Sequence, residues 1–420
     1  MGGGGDGKRA ARGGRETRLA GWRAFGEVGE GVARGQAVPP DGWVGGVRAG
    51  KPWRSVGGWG AEEPWRSVGL GIVVGMLRGH GQRRSAAILI TGAGGEVGHG
   101  LIRAIAREGL GEVVAIDLRE MDPELKPLCR ETFVGDVCDT FLLGRLLAMY
   151  EITEIYHLAA LLSTRSEFTP ETAHDVNVGG TLNLLRLAAE QARSHGQTVR
   201  FVYPSSIAVY GLPSVEEKAR AGAVKEEEHC TPTTMYGCNK LYCEHLGRYY
   251  ARHYRQLAQD RASDLIDFRC VRYPGLISPE TLPSGGTSDF GPEMMHAAAS
   301  GRSYAGFVRE DARIPFMTMA EAIGATLRLA RASAGGLTRS VYNVASFAPS
   351  AGEFAAEVRR HWPGAEIGFE PDGARQSIVD SWPADVDCSA ARRDWGFEPE
   401  HTLASAFEEV LAPEMRERYG

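Results

Sequence analysis

Hydrophobic positions in this chain change their rhythm near residue 84. From Ala86 onward, short unbroken apolar runs alternate with longer stretches whose apolar residues recur every three to four positions. The short runs, bounded by turn residues, read as buried strands, and the longer stretches read as amphipathic helices. The pattern predicts strands at 86–91, 112–117, 131–134, 154–158, 199–204 and 266–271, and helices near 97–108, 139–150, 175–195 and 234–255. Strict alternation of this kind predicts an α/β fold with a doubly wound parallel sheet. After about Gly275 the rhythm becomes irregular, which predicts a main domain over 83–275 and a smaller α/β domain, mainly 276–415.

Residues 1–82 follow neither rhythm. They are dense in Gly, Arg and Trp, and Pro-Trp-Arg-Ser-Val-Gly occurs twice, from Pro52 and from Pro64. So few aliphatic side chains cannot offset chain entropy, so a disordered, low-complexity extension is expected. Met76 is a candidate natural start. The apolar run Leu70 to Leu77 is too short to span a bilayer and too far along the chain for a secretion signal.

Charge and cysteine content narrow the function. Lys and Arg total 47, Asp and Glu 53, and the formal net charge is −6. No basic patch or apolar span is present to suggest a nucleic-acid or membrane partner. Seven cysteines, at 129, 138, 230, 238, 243, 270 and 388, fit no disulfide framework or zinc spacing. Reduced thiols in a cytoplasmic protein, with no bound metal, are expected.

Three motifs carry chemistry. The first, Thr91-Gly92-Ala93-Gly94-Gly95-Glu96-Val97-Gly98, joins the first predicted strand to the first predicted helix. Gly92, Gly95 and Gly98 suit a tight turn, close approach of a pyrophosphate, and packing of helix on strand. The helix N-terminus then offers free N–H groups and a positive dipole end to phosphates. Asp117 ends the second strand about twenty residues later, where a ribose 2′-hydroxyl is held. An acid there repels a 2′-phosphate, so NAD is expected rather than NADP.

The second motif is Tyr236-Gly237-Cys238-Asn239-Lys240, with tyrosine and lysine four apart on one helix face. A phenol of ordinary pKa near 10 is a poor base, and a neighbouring ammonium favours its ionised form. The third, Pro204-Ser205-Ser206-Ile207-Ala208-Val209-Tyr210-Gly211, ends a strand in hydroxyls, where parallel sheets place their ligands. Each motif alone is weak evidence; their order and context strengthen all three.

With these motifs the chain resembles the extended short-chain dehydrogenase/reductase family over roughly Ala86 to Pro413. It is most similar to the epimerase-type NAD-dependent L-threonine 3-dehydrogenases. Further stretches carry the resemblance: His157-Leu158-Ala159-Ala160-Leu161-Leu162-Ser163, Val271-Arg272-Tyr273-Pro274-Gly275, Gly285-Gly286-Thr287-Ser288-Asp289-Phe290 and Asp380-Ser381-Trp382-Pro383. The resemblance implies a Rossmann NAD-binding domain over 83–275, a substrate domain that closes over the nicotinamide, and a homodimer. It implies a catalytic set of Ser206, Tyr236 and Lys240. Ser206 is preferred to Ser205 because it stands four residues before Tyr210. Implied cofactor contacts are Gly92, Gly95, Glu96, Val97, Gly98, Asp117, Asp136, Val137, Leu158, Ala159, Ala160, Asn177, Tyr236, Lys240 and Tyr273. The expected reaction is oxidation of the 3-hydroxyl of L-threonine to 2-amino-3-oxobutanoate. Asp289 would pair with the ammonium, Thr287 would donate to the carboxylate, and Ser163 and Ser206 would add hydroxyls. Trp382 is expected on a moving lid or at the surface. The alternatives are a sugar-nucleotide epimerase or dehydratase, or a dehydrogenase of another small 3-hydroxy acid. A dinucleotide-binding redox sensor is disfavoured because Ser206, Tyr236 and Lys240 are all present.

Overall fold

The computed structural model describes residues 84–283 and 285–420. The extension expected at 1–82 lies outside the described residues. Seven parallel strands form the central sheet: β1 (Ser85–Thr91), β2 (Val113–Asp117), β3 (Glu131–Val134), β4 (Tyr150–His157), β5 (Val199–Ser206), β6 (Ile266–Tyr273) and β7 (Val341–Asn343). Their order across the sheet is β7-β6-β5-β4-β1-β2-β3. The order reverses at β1, whose neighbours are β2 and β4. Such a switch point opens a crevice at the carboxyl ends of the strands.

The alternation of side chains along β1 explains why helices cover both faces. Ala87 and Leu89 join a core with Leu184, Leu185, Leu142 and Cys243. These belong to α2 (Thr140–Met149), α3 (Gly180–His195) and α4 (Met235–Arg252). Ile88 and Ile90 point the other way, into a core with Leu101, Ile102, Ile105, Ile323 and Leu327. These side chains come from α1 (Glu96–Glu108) and from a helix far along the chain, Met319–Arg331. Gly100 lets those two helices meet, since a Cβ there would stand 2.9 Å from Ile323 Cγ1.

The chain beyond Gly275 therefore does not stay apart from the main sheet. It returns β7 to the sheet edge and Met319–Arg331 to its face. The rest packs as short two-stranded parallel ladders and helices around Phe290, Phe316, Phe354 and Phe407. A buried arginine joins the parts, and a second, Arg272, ties together the main part itself. Arg269 donates to the carbonyls of Leu329, Ala330 and Ala332, at the C-terminal end of that helix. Arg272 pairs with Glu244 at 2.6 Å, both fully buried, and donates to Tyr210 Oη and the Glu226 carbonyl. Trp382 is buried in the C-terminal core, 3 % exposed, rather than on a lid or at the surface. Among the described residues no helix is long and apolar enough to cross a membrane.

Candidate active site

The carboxyl edge of the sheet collects the residues singled out from sequence. Gly92 follows β1 with φ +67°, and a Cβ there would stand 2.5 Å from Ala159 N. Only glycine allows the loop after β1 to lie so close to the loop after β4. Gly98 is equally constrained, since a Cβ would stand 2.7 Å from the carbonyl carbon of Ala93. Gly95 is the N-cap of α1 and supplies no side chain, so the first N–H groups of the helix are left for an anion. Asp117 closes on the same loop, accepting from the Gly94 and Arg119 amides at 2.9 and 3.1 Å. A glycine cradle, an uncapped helix N-terminus and a carboxylate at the second strand's end fit the diphosphate and ribose of a dinucleotide.

The other cofactor candidates form the rim. Leu158 N donates to Thr91 O, so Leu158, Ala159 and Ala160 run beside the glycine loop. Asn177 holds that rim with its side chain: Oδ1 accepts from Leu161 N at 2.8 Å and Nδ2 donates to Leu161 O at 3.1 Å. Asp136 turns the chain after β3 by accepting from Cys138 N, and Val137 packs beneath Gly180. Tyr273 faces Ser206 in register, and its hydroxyl is engaged with Thr326. Val97 is half-buried against the core.

His157 belongs to no catalytic motif, yet it anchors the floor. Thr181 spends its proton on Asn177 O at 2.6 Å. His157 Nε2 must therefore donate to Thr181 Oγ1, and Nδ1 must accept from Thr91 Oγ1. Burial, with Lys240 nearby, pushes this imidazole down to about 3, so it stays neutral.

The catalytic candidates converge on the end of β5. Ser206 caps the short helix Ile207–Val209, its Oγ accepting from Ala208 N at 3.2 Å, and remains half-buried. Ser205 is buried, and its Oγ has no hydrogen-bond partner among the described residues. Thr234 caps α4 by accepting from Gly237 N. Gly237 then lets α4 lie against the Ser206 loop: a Cβ there would stand 2.9 Å from the Ala208 carbonyl carbon and 2.8 Å from Pro232 Cβ. Tyr236 lies in the first turn of the helix and Lys240 one turn on, its ammonium 5.5 Å from the Tyr236 ring centroid and 4.5 Å from that of Tyr203. Lys240 Nζ donates to Pro204 O at 2.7 Å. Burial pushes Lys240 down to about 8 and raises the Tyr236 phenol well above its ordinary value. In this geometry burial outweighs the attraction of the ammonium, and ionising the phenol requires further positive charge.

The substrate-side candidates lie on two facing segments. Ser163 opens a short helix, and its neighbour Thr164 donates to Gly285 O at 2.8 Å. Thr287 is buried, and Asp289 accepts from Gly286 N at 2.6 Å, just before α5 (Phe290–Ala299). Glu96 lies toward this segment. Burial, then Asp289 and Glu280, push its carboxyl up to about 7. Among the described residues no group of three His, Cys, Asp or Glu side chains is arranged to hold a metal ion.

The model of the NAD dependent epimerase/dehydratase family matches residues 88–345. The chain belongs to this family. It is an NAD-dependent oxidoreductase of the extended short-chain dehydrogenase/reductase type. It is 34% identical over 328 residues to an uncharacterized epimerase/dehydratase of Staphylococcus haemolyticus, covering 77% of this chain and 96% of the relative. It is 33% identical to the mitochondrial L-threonine 3-dehydrogenase of Bos taurus, over 75% of this chain and 79% of that one. A solved monomeric L-threonine 3-dehydrogenase from a metagenome superposes with TM-score 0.69 at 33% identity, over 79% of this chain and all of that one. The matched family segment contains the glycine loop, Ser206, Tyr236 and Lys240, and Thr287 and Asp289. Two relatives named for threonine oxidation accord with the resemblance read from the sequence.

Proposed function

We propose that this enzyme oxidises the 3-hydroxyl of L-threonine to 2-amino-3-oxobutanoate, with Ser206, Tyr236 and Lys240 as its catalytic set. The convergence of Tyr236 and Lys240 on the end of β5, held there by the close packing of Gly237, carries the reading. Gly92, Gly95, Glu96, Val97 and Gly98 would hold the NAD diphosphate and Asp117 a ribose. Asp136 and Val137 would meet the adenine end, and Leu158 to Ala160, Asn177 and Tyr273 would shape the nicotinamide side. NAD, when bound, supplies the hydride acceptor and a positive charge beside Tyr236. Lys240 would leave Pro204 O in part to hold ribose hydroxyls, keeping its own charge near the phenol. Tyr236, as phenolate, takes the substrate hydroxyl proton while C3 loses hydride, and Ser206 donates a hydrogen bond to the substrate oxygen. Each such group contributes about 10²–10⁴ in rate.

Asp289 favours an amino acid over a sugar nucleotide. Its carboxyl, on the segment that with burial raises the Glu96 pKa, would attract an ammonium and repel a second diphosphate. Thr287 and Ser163 supply hydroxyls for the substrate carboxylate. Half-exposed Tyr242 and Tyr249 on α4 offer an apolar surface to a second copy, and a homodimer is proposed on that basis. The test mixes purified protein with NAD and L-threonine, L-serine or UDP-glucose. NADH formed with L-threonine supports the proposal. Conversion of the sugar nucleotide with no NADH released would replace it.

A further inference from the structure

The segment bearing Thr287 and Asp289 is suspended between two parts of the molecule. From one side Thr164 donates to Gly285 O at 2.8 Å. From the other comes Arg375, on α8 (Gly373–Ser381, counted after α6 at Met319–Arg331 and α7 at Ala351–His361). Its Nη2 donates to Gly286 O at 2.8 Å and lies 3.4 Å from Gly285 O. The segment is a tight turn. Gly285 has φ +84°, Asp289 Oδ2 accepts from Gly286 N at 2.6 Å, and a Cβ on Gly286 would stand 2.9 Å from Asp289 Oδ1.

Arg375 is itself held on several sides. Its guanidinium carbon lies 3.1 Å from the centroid of the Phe307 ring. Its backbone N donates to Asp372 Oδ1 at 2.8 Å at the start of the helix. Its charge is felt by Glu293, whose carboxyl accepts from Tyr304 Oη at 2.9 Å. A planar cation stacked on an aromatic ring, with an edge on two carbonyls, is a task for arginine and not for lysine. The guanidinium donates into the backbone of the turn, so its effect reaches the substrate through Thr287 and Asp289.

We infer that Arg375 is a positioning residue: by holding the carbonyls of Gly285 and Gly286 it fixes Thr287 and Asp289, and so sets affinity for a zwitterionic 3-hydroxy amino acid. The inference rests on the substrate role proposed above for Thr287 and Asp289. Its structural half is independent of that role and is tested separately.

The experiment uses the full chain with Arg375→Met and Arg375→Lys. Hydrogen exchange of the 285–289 segment is measured alongside KM for L-threonine, kcat and NAD affinity. Arg375→Met is expected to speed exchange across 285–289 and to raise KM about tenfold or more, with kcat and NAD affinity within about twofold. Arg375→Lys, which keeps the cation and is the variant used if the methionine protein does not fold, should fall between the two. Unchanged exchange at 285–289 overturns the inference. So does a loss confined to kcat. If the wild-type protein does not oxidise threonine, the proposed function fails, while the exchange result still decides whether Arg375 holds the turn.

Discussion

Replacing Gly237 with alanine tests how the catalytic set is assembled. A Cβ at this position would stand 2.9 Å from the Ala208 carbonyl carbon, closer still to its oxygen, and 2.8 Å from Pro232 Cβ. These neighbours are backbone and a ring, so relief must come from moving the first turn of α4. A shift of about 1 Å at a catalytic group costs about 10²-fold in rate. Overpacking a tight contact costs about 1–3 kcal/mol, while alanine returns up to about 1 kcal/mol over glycine in a helix. Gly144, inside α2, is the control, because a Cβ there meets nothing within 4 Å. The difference between Gly237→Ala and Gly144→Ala cancels the propensity gain and leaves the overpacking, about 1–3 kcal/mol. Urea unfolding followed by the fluorescence of buried Trp382 and Trp395 reads the stability, and NADH formation reads the rate. If Gly237→Ala is as stable and as active as Gly144→Ala, α4 does not lie against the Ser206 loop as described.

Three further outcomes are expected. The Glu96 carboxyl is pushed up to about 7 in the free protein from an ordinary 4.5, and bound phosphates would raise it further. Its contribution to folding is therefore fully present below 4.5 and lost as pH rises to about 7, whereas NAD affinity falls as pH rises above about 7; titration calorimetry across pH checks this, and Glu96→Gln should flatten the profile. Ser206→Ala should lower the rate by about 10²–10⁴-fold, whereas Ser205→Ala, which deletes an unpartnered hydroxyl, should leave rate and stability nearly unchanged; steady-state kinetics of the pair separate the two serines. Glu244→Ala strands the buried Arg272 guanidinium and should cost about 3–5 kcal/mol in urea unfolding, with Glu244→Leu/Arg272→Met less costly than the single change.

The central strands were legible where they are apolar runs between turn residues. Ala86 to Ile90, for example, lies within β1. Tyr236 and Lys240 could be paired from their spacing, and the glycines after β1 from their place between strand and helix. Other features had no local signal. β7 is three residues long and lies far beyond the other strands, so only tertiary pairing with β6 defines it. β4 begins at Tyr150, earlier than expected, because Ile152 is buried while Glu151 and Thr153 face partly outward. The neutral tautomer of His157 depends on Thr91 and Thr181, which the sequence does not bring together. Trp382 looks exposed in a polar stretch, yet the core around Phe407 and Val386 encloses it. The charged stretch 213–229 gives no hint that Lys218 is buried with its amine on Val379 O, tying that segment to the helix of Arg375.

The most direct measurement of the central claim follows the hydrogen itself. L-threonine deuterated at C3 is mixed with NAD and the wild-type protein, and the mass of the NADH formed is read, with Tyr236→Phe as the control. Deuterium recovered on the nicotinamide, with product formation lost in the variant, is the predicted result. Deuterium retained by threonine in protein shown to bind NAD would contradict the account.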